Sequence, residues 1–241
     1  MTRKEHLSGK VALISPKDLC RFSLIIVSIV TLNFIIKYYL WNLIIAPRFY
    51  NRKMNVDQLK EAIDTLRAGG VILYPTDTIW GIGCDATNSE AVRRIFDIKR
   101  RPQDKSIIIL LDDASKISRY VEDIPDIAWD LIECASRPLT VIFEKAKNLP
   151  TNVVNSDGSI AIRITGEEVS ATLCRLMGRP IVSTSANISG EPSAKSFYDI
   201  SDEIKSAVDY IVPLRQSDST ETTPSQIIKL YNDGRFNIIR Q

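Results

Sequence analysis

The sequence is almost without histidine: among 241 residues only His6 is one, in an N-terminal stretch that the patterning below separates from the folded domain. Serine or cysteine nucleophiles activated by histidine, histidine-ligated zinc and histidine acid–base chemistry are therefore closed to the core. Cysteine is sparse too. Cys20, Cys84, Cys134 and Cys174 lie far apart with no Cys-x-x-Cys pair, which argues against a zinc site and a disulfide framework and for a reducing compartment. Net charge is only +2, so attraction to nucleic acid must come from local clusters of Lys and Arg. No Gly-x-x-x-x-Gly-Lys-Ser/Thr phosphate loop occurs. These absences leave catalysis by positioning and fixed charge, the kind suited to phosphoryl or nucleotidyl transfer.

Long apolar runs are confined to one place. Phe22–Ala46 is long enough to span a bilayer, with Lys37 inside it and basic residues on both sides. No small-x-small cleavage site follows it before Pro47, so a signal peptide fits poorly. Three readings stand: a mistranslated leader upstream of a true start at Met54, a membrane anchor over residues 22–46, or a soluble helix. In each, residues 1–53 are an extension and residues 54–241 the folded domain.

The domain is organised around Val71–Ala86. A β-branched run from Val71 to Tyr74 follows Gly69-Gly70 and stops at Pro75, which cannot donate to a ladder. Thr76, Asp77 and Thr78 thus stand at the C-terminal end of a strand, where ligands bind in open α/β sheets. Gly81–Ala86 reads as a glycine-spaced loop. It matches Gly-x-Gly-x-x-Ala by pattern but neither follows its strand directly nor opens a helix, so it is not a dinucleotide fingerprint.

Helical periodicity marks Asp57–Ala68, Ser89–Lys99 and Glu167–Met177, with shorter helical stretches near Ala114–Tyr120 and Pro125–Ala135. Strands are expected over Ser106–Leu111, Thr140–Phe143, Ser159–Ile164, Pro180–Ser183, Asp209–Leu214, Ser225–Leu230 and Phe236–Arg240, the last two joined by a hairpin at Asn232-Asp233-Gly234. Helices and strands alternate first and strands then pair locally, which predicts an α/β (α+β) domain with a mixed sheet.

Two further loops carry polar chemistry. Lys99, Arg101 and Lys105 bring three cations to one turn braced by Pro102, which is a candidate phosphate site or a solvated face. Thr184–Ser193 is built of small hydroxyl and amide residues that suit a nucleotide's sugar and phosphates.

Five stretches in order, Tyr74–Ala86, Lys99–Lys105, Arg137–Thr140, Ile160–Arg163 and Ser183–Ser193, resemble the YrdC-like threonylcarbamoyl-AMP synthases. The resemblance runs from about Val56 to the C-terminus. It implies a three-layer fold with a twisted mixed β-sheet around a basic cavity. It also implies a reaction in which L-threonine, bicarbonate or CO2, and ATP, with Mg2+ carried by the nucleotide, give threonylcarbamoyl-AMP and pyrophosphate for the threonylcarbamoyl adenosine of tRNA. Carried over by motif, Lys99 and Arg101 resemble the catalytic pair that grips the triphosphate. Lys105, Ser159, Ser185, Asn187, Ser193 and Arg240 complete the ATP site, and Thr78, Arg163 and Ser183 hold threonine. A cytoplasmic location, contact with tRNA or double-stranded RNA, and a downstream threonylcarbamoyl transferase complex follow from the same resemblance.

The sequence departs from the family at Ser136-Arg137, at Thr165-Gly166-Glu167-Glu168 after Arg163, at Gln226, and at Arg240-Gln241 where Arg-Pro-Gly is usual. The rival function is a non-catalytic double-stranded RNA-binding module, against which stands the lack of an aromatic-interleaved basic stretch. A sugar-phosphate lyase would need acid–base residues that the histidine count does not supply.

Overall fold

The computed structural model describes residues 56–102, 106–218 and 223–241. The apolar stretch 22–46 and Lys105 lie outside the described residues, as do the expectations that fall on them. Among the described residues no helix is long and apolar enough to cross a membrane.

A 3-10 turn at Val56–Leu59 leads into helix α1 (Lys60–Arg67), which buries Ala62, Ile63 and Leu66. Strands β1 (Ile72–Tyr74) and β2 (Gly81–Gly83) then pair as an antiparallel hairpin around Pro75–Trp80. Gly81–Gly83 was expected as a loop and is instead a strand between β1 and β6 (Ile181–Ser185). Its glycine is dictated by close approach: a Cβ on Gly83 would lie 2.5 Å from the Val182 carbonyl oxygen and 2.7 Å from Tyr74 Cε1.

Helix α2 (Ser89–Ile98) is capped by the Asn88 side chain, which accepts from the Glu90 and Ala91 amides, and it buries Val92, Ile95 and Phe96. Strand β3 (Ile108–Leu111), helix α3 (Ile127–Glu133), strands β4 (Leu139–Phe143) and β5 (Ile160–Ile164), and helix α4 (Glu168–Met177) follow. Gly178, at φ +67°, ends α4 in the left-handed conformation that glycine tolerates. Strand β6 runs two residues past the expected Ser183, which places Ser185 on a strand rather than in the loop. The short helix α5 (Asp202–Ala207), which sequence periodicity does not mark, precedes β7 (Tyr210–Ile211), and β8 (Gln226–Leu230) and β9 (Phe236–Arg240) close the chain.

The described strands form one mixed sheet in the order β7-β1-β2-β6-β3-β5-β4-β8-β9. Alternation of side chains splits its two faces. One face, with Leu73, Ile82, Ile109, Ile162 and Val182, carries the larger apolar core together with α2 and Ala128 of α3. The other, with Ile72, Tyr74, Leu110 and Ile181, packs on α1 and α4. On that second face, beyond those two helices, the sheet presents Ala161, Arg163, Ser183, Ser185 and Ile227 to a cavity.

Candidate active site

The cavity holds about 290 Å³. Its walls come from the β1–β2 hairpin (Thr78, Gly81), the loop after α2 (Arg101, Ser106), β5 (Arg163), β6 and the loop that follows it (Ser183, Ser185, Ser193), and the last strands (Ser225, Arg240). Three guanidiniums thus line it, and none of its described lining residues is acidic.

The hairpin turn is fixed by its own threonines. Thr76 Oγ1 donates to the Ile79 carbonyl at 2.8 Å and accepts from the Thr78 amide at 3.1 Å. With its one proton so used, Thr76 Oγ1 accepts from the Thr78 hydroxyl 3.0 Å away, and the lone pairs of Thr78 are left for a ligand N–H. A strut supports the turn from outside: Arg215 Nη1 donates to the Thr76 carbonyl at 3.2 Å and pairs with Glu167 at 2.9 Å. Glu167 in turn caps α4 by accepting from the Val169 and Ser170 amides.

Arg163 points into the cavity from the middle of the sheet. Its side chain is 5% exposed, and Nη2 lies 3.2 Å from Asp77 Oδ1. The contact is an ion pair without hydrogen-bond alignment: Asp77 Oδ1 and Arg163 Nε are both buried and unpartnered. Burial raises the proton affinity of Asp77 and the charge of Arg163 opposes the rise. Arg101 enters from the loop after α2, its Nη2 donating to the Ser106 carbonyl at 2.5 Å and its buried Nε unpartnered. Burial alone lowers its proton affinity.

Arg240 reaches the cavity through a register shift. On β9, Asn237 and Ile238 face Lys229 and Ile228, but Ile227 faces Arg240, so Ile239 is left over as a bulge. Were Ile239 instead paired with Ile227 in a regular ladder, Arg240 would project from the opposite face of the sheet. Arg240 Nε donates to the Ser225 carbonyl at 2.9 Å, and Ser225 Oγ is 2.8 Å from Thr140 Oγ1.

Lys99, expected at the triphosphate, does not line the cavity. The end of α2 directs it beneath the loop that follows β6, where the residue is 1% exposed and Nζ donates to the carbonyls of Ser185 and, at 2.6 Å, Asn187. Its own carbonyl accepts from the Ser189 amide at 2.8 Å. Burial, then the charge of Arg101, pushes its amine down to about 8. Asn187 also serves the loop: Nδ2 donates to the Ile188 and Glu191 carbonyls at 3.0 and 2.7 Å. Ser159 is likewise away from the lining, its hydroxyl bound to Asp157 at 2.5 Å. Of the expected residues the structure therefore brings Thr78, Arg101, Arg163, Ser183, Ser185, Ser193 and Arg240 to one cavity. Sequence reasoning missed Ser225 and the Glu167–Arg215 strut, whose residues lie outside the five motifs, and gave Asp77, inside one, no role.

The Sua5/YciO/YrdC family model, described as "Telomere recombination", matches residues 64–241. The chain belongs to this family. It is 32% identical over 168 residues to the threonylcarbamoyl-AMP synthase of Halorhodospira halophila, covering 69% of the chain and 88% of that relative. To the threonylcarbamoyl-AMP synthase of Pseudoalteromonas translucida it is 36% identical, over 73% of the chain and 94% of the relative. Among solved structures it resembles P. abyssi Sua5 complexed with L-threonine, at TM-score 0.64 and 30% identity over 71% of this chain and 50% of that longer one. E. coli YciO superposes with TM-score 0.68 at 25% identity over 78% of this chain and 90% of the other. The expected mixed sheet and the resemblance read from the five stretches agree with these findings.

Proposed function

We infer that the chain is an L-threonylcarbamoyladenylate synthase, an ATP-consuming nucleotidyltransferase. The observation that carries this reading is the cavity itself: Arg101, Arg163 and Arg240 converge on it with no acidic lining residue, beside a hydroxyl-rich strand and the Thr76–Thr78 turn. Relatives named threonylcarbamoyl-AMP synthase, matched over nearly their whole length, support it over a duplex-binding module.

Threonine enters as a zwitterion. Arg163 takes the carboxylate as a charge-assisted pair, and Thr78 and Ser183 offer hydroxyl oxygens beside it. Arg101 and Arg240, with Ser185 and Ser193, receive the nucleotide, while Lys99 and Asn187 hold the loop that presents Ser193. A carbamate is a weak nucleophile, so the site must align its oxygen with the α-phosphorus and neutralise the pyrophosphate that leaves. Fixed guanidiniums in a partly dry cavity do this without reorganising. Mg2+ enters with ATP as part of the substrate. The product is a mixed anhydride that water destroys, which calls for a transferase to carry it to tRNA in the same, reducing compartment.

Incubation of the purified chain with ATP, L-threonine and labelled bicarbonate tests the reading. Pyrophosphate release that depends on threonine, with label in an adenylate, is expected. Release without threonine dependence, or none, together with salt-sensitive duplex binding, would favour the RNA-binding module.

A further inference from the structure

The cavity presents three cations to a substrate that also carries one. The ammonium of an amino acid needs an acceptor, and its nitrogen must lose a proton before it can attack carbon. The described cavity lining supplies no acid or histidine for either task. Thr78 is a neutral hydroxyl, and the Tyr74 hydroxyl is buried, its proton affinity raised further by that burial.

Asp77 lies in the wall behind Arg163. One of its oxygens is 3.2 Å from Arg163 Nη2, shielded from solvent and without a hydrogen bond, and the Arg163 Nε is equally unpartnered. That oxygen, when the carboxylate is ionised, lacks a donor, although the carboxylate has a backbone hydrogen bond. Asp77 also lines a second cavity, of about 420 Å³, with Arg137, Gly166, Glu167 and Arg215. The carboxylate thus lines this separate polar compartment and touches the substrate cavity through Arg163, which lines it.

We propose that Asp77 receives the ammonium of the amino-acid substrate and takes its proton, so that the free amine can attack carbon dioxide. The proposal rests on the synthase reading above. The Asp77–Arg163 pair is the charge complement of a zwitterion, guanidinium for carboxylate and carboxylate for ammonium. In the first step the ammonium proton passes to Asp77, leaving a neutral amine and a neutral acid. The amine lone pair then forms the N–C bond to carbon dioxide while a π pair of the dioxide moves onto oxygen. The new N-carboxylate loses its second nitrogen proton to water, and Asp77 returns its own proton to water through the second cavity. The charged groups facing Asp77 are Arg163 on β5, Glu167 at the start of α4 and Arg215 in the loop after β7. Burial raises its affinity for a proton against the opposing charge of Arg163, in the direction a base near neutrality requires.

Asp77→Asn in the full chain tests this, with kcat/KM for threonine read from pyrophosphate release between pH 7 and 9. At pH 7 the variant should lose at least about a hundredfold. Its rate should climb about tenfold per pH unit as hydroxide frees the amine, closing on the wild type, with KM for ATP unchanged. A loss of the same factor at every pH would show that Asp77 merely aims Arg163, and no loss would show no role; either overturns the proposal. An inactive wild type would instead refute the synthase reading on which it rests. Should the variant fail to fold, the wild type carries the test. Its kcat/KM should be level from pH 7 to 8.5, and a tenfold rise per unit over that range would overturn the proposal.

Discussion

Replacing Arg101 with alanine removes one of three cations from the cavity, and the neighbouring Arg100 supplies the control. Arg101 is half-buried, with an Nε that has no protein partner and a guanidinium on the cavity wall. In the proposed role its attraction to the phosphates grows as charge moves onto leaving pyrophosphate, so its loss should appear in turnover beyond any loss in ATP affinity. By analogy with deletion of one oxyanion donor, the cost is about 3 kcal/mol, roughly a hundredfold. Arg100 adopts φ +50° at the end of α2 rather than an extended conformation, and its side chain pairs with Glu203 at 2.5 Å while 68% exposed. Surface pairs of this kind contribute little, so Arg100→Ala should keep near wild-type activity. Arg101 also holds the Ser106 carbonyl, so Arg101→Lys, which keeps a charge without the fork, should fall between the two. Steady-state pyrophosphate release, with ATP affinity from calorimetry, decides the matter. Equal activity in Arg100→Ala and Arg101→Ala would refute the reasoning.

Four other outcomes are expected. Gly83→Ala sets a methyl 2.5 Å from a backbone oxygen that cannot give way, and should cost about 2–3 kcal/mol, a fall of roughly 4–12 °C in melting temperature. Deletion of Ile239 should leave both melting and ATP binding nearly unchanged, because the residue is 59% exposed and Arg240, then following Ile238 directly, still faces Ile227 on the cavity side. Lys99 has its amine lowered to about 8 from 10.5, so between those values the unfolded chain holds a proton the native state has lost, and stability rises with pH. Denaturation of wild type against Lys99→Met should therefore shift in favour of the wild type from pH 8 to 10, by at most about 1.4 kcal/mol per unit. Finally, Met54–Gln241 should express as a soluble, cooperatively melting protein, since both apolar clusters described lie within it.

Much of the frame was legible because it is written in periodicity. The α1, α2 and α4 helices show apolar spacing with clear stops, β3 is an all-apolar run and β5 places isoleucine at every second position. What escaped has no such signature. The strand β2 contains two glycines in three residues, and only the packing of Tyr74 and Val182 against Gly83 explains it. Helix α5 has six residues, too few for a period to show. In the site, residue identity located the cations but not their direction. Lys99 and Arg101 differ by two positions, yet one turns under the loop and the other into the cavity, because the left-handed Arg100 breaks the alternation of an extended chain. The bulge at Ile239 is equally silent in sequence, although it decides where Arg240 points.

The placement of β8 also has a consequence for the order in which the site comes into being on the ribosome. β8 does not pair with the strand synthesised just before it; it adds in parallel to β4, joining Thr140 to Ile227 across nearly half of the domain. Ser225 and Arg240, which close one wall of the cavity, therefore arrive after the hairpin turn, the basic loop and Arg163 have been made. A nascent chain can bury both apolar clusters almost completely and still lack that wall, so a complete binding site exists only once the last hairpin has docked. Nucleotide affinity in this domain thus reports that synthesis has passed β9, whereas helical content does not.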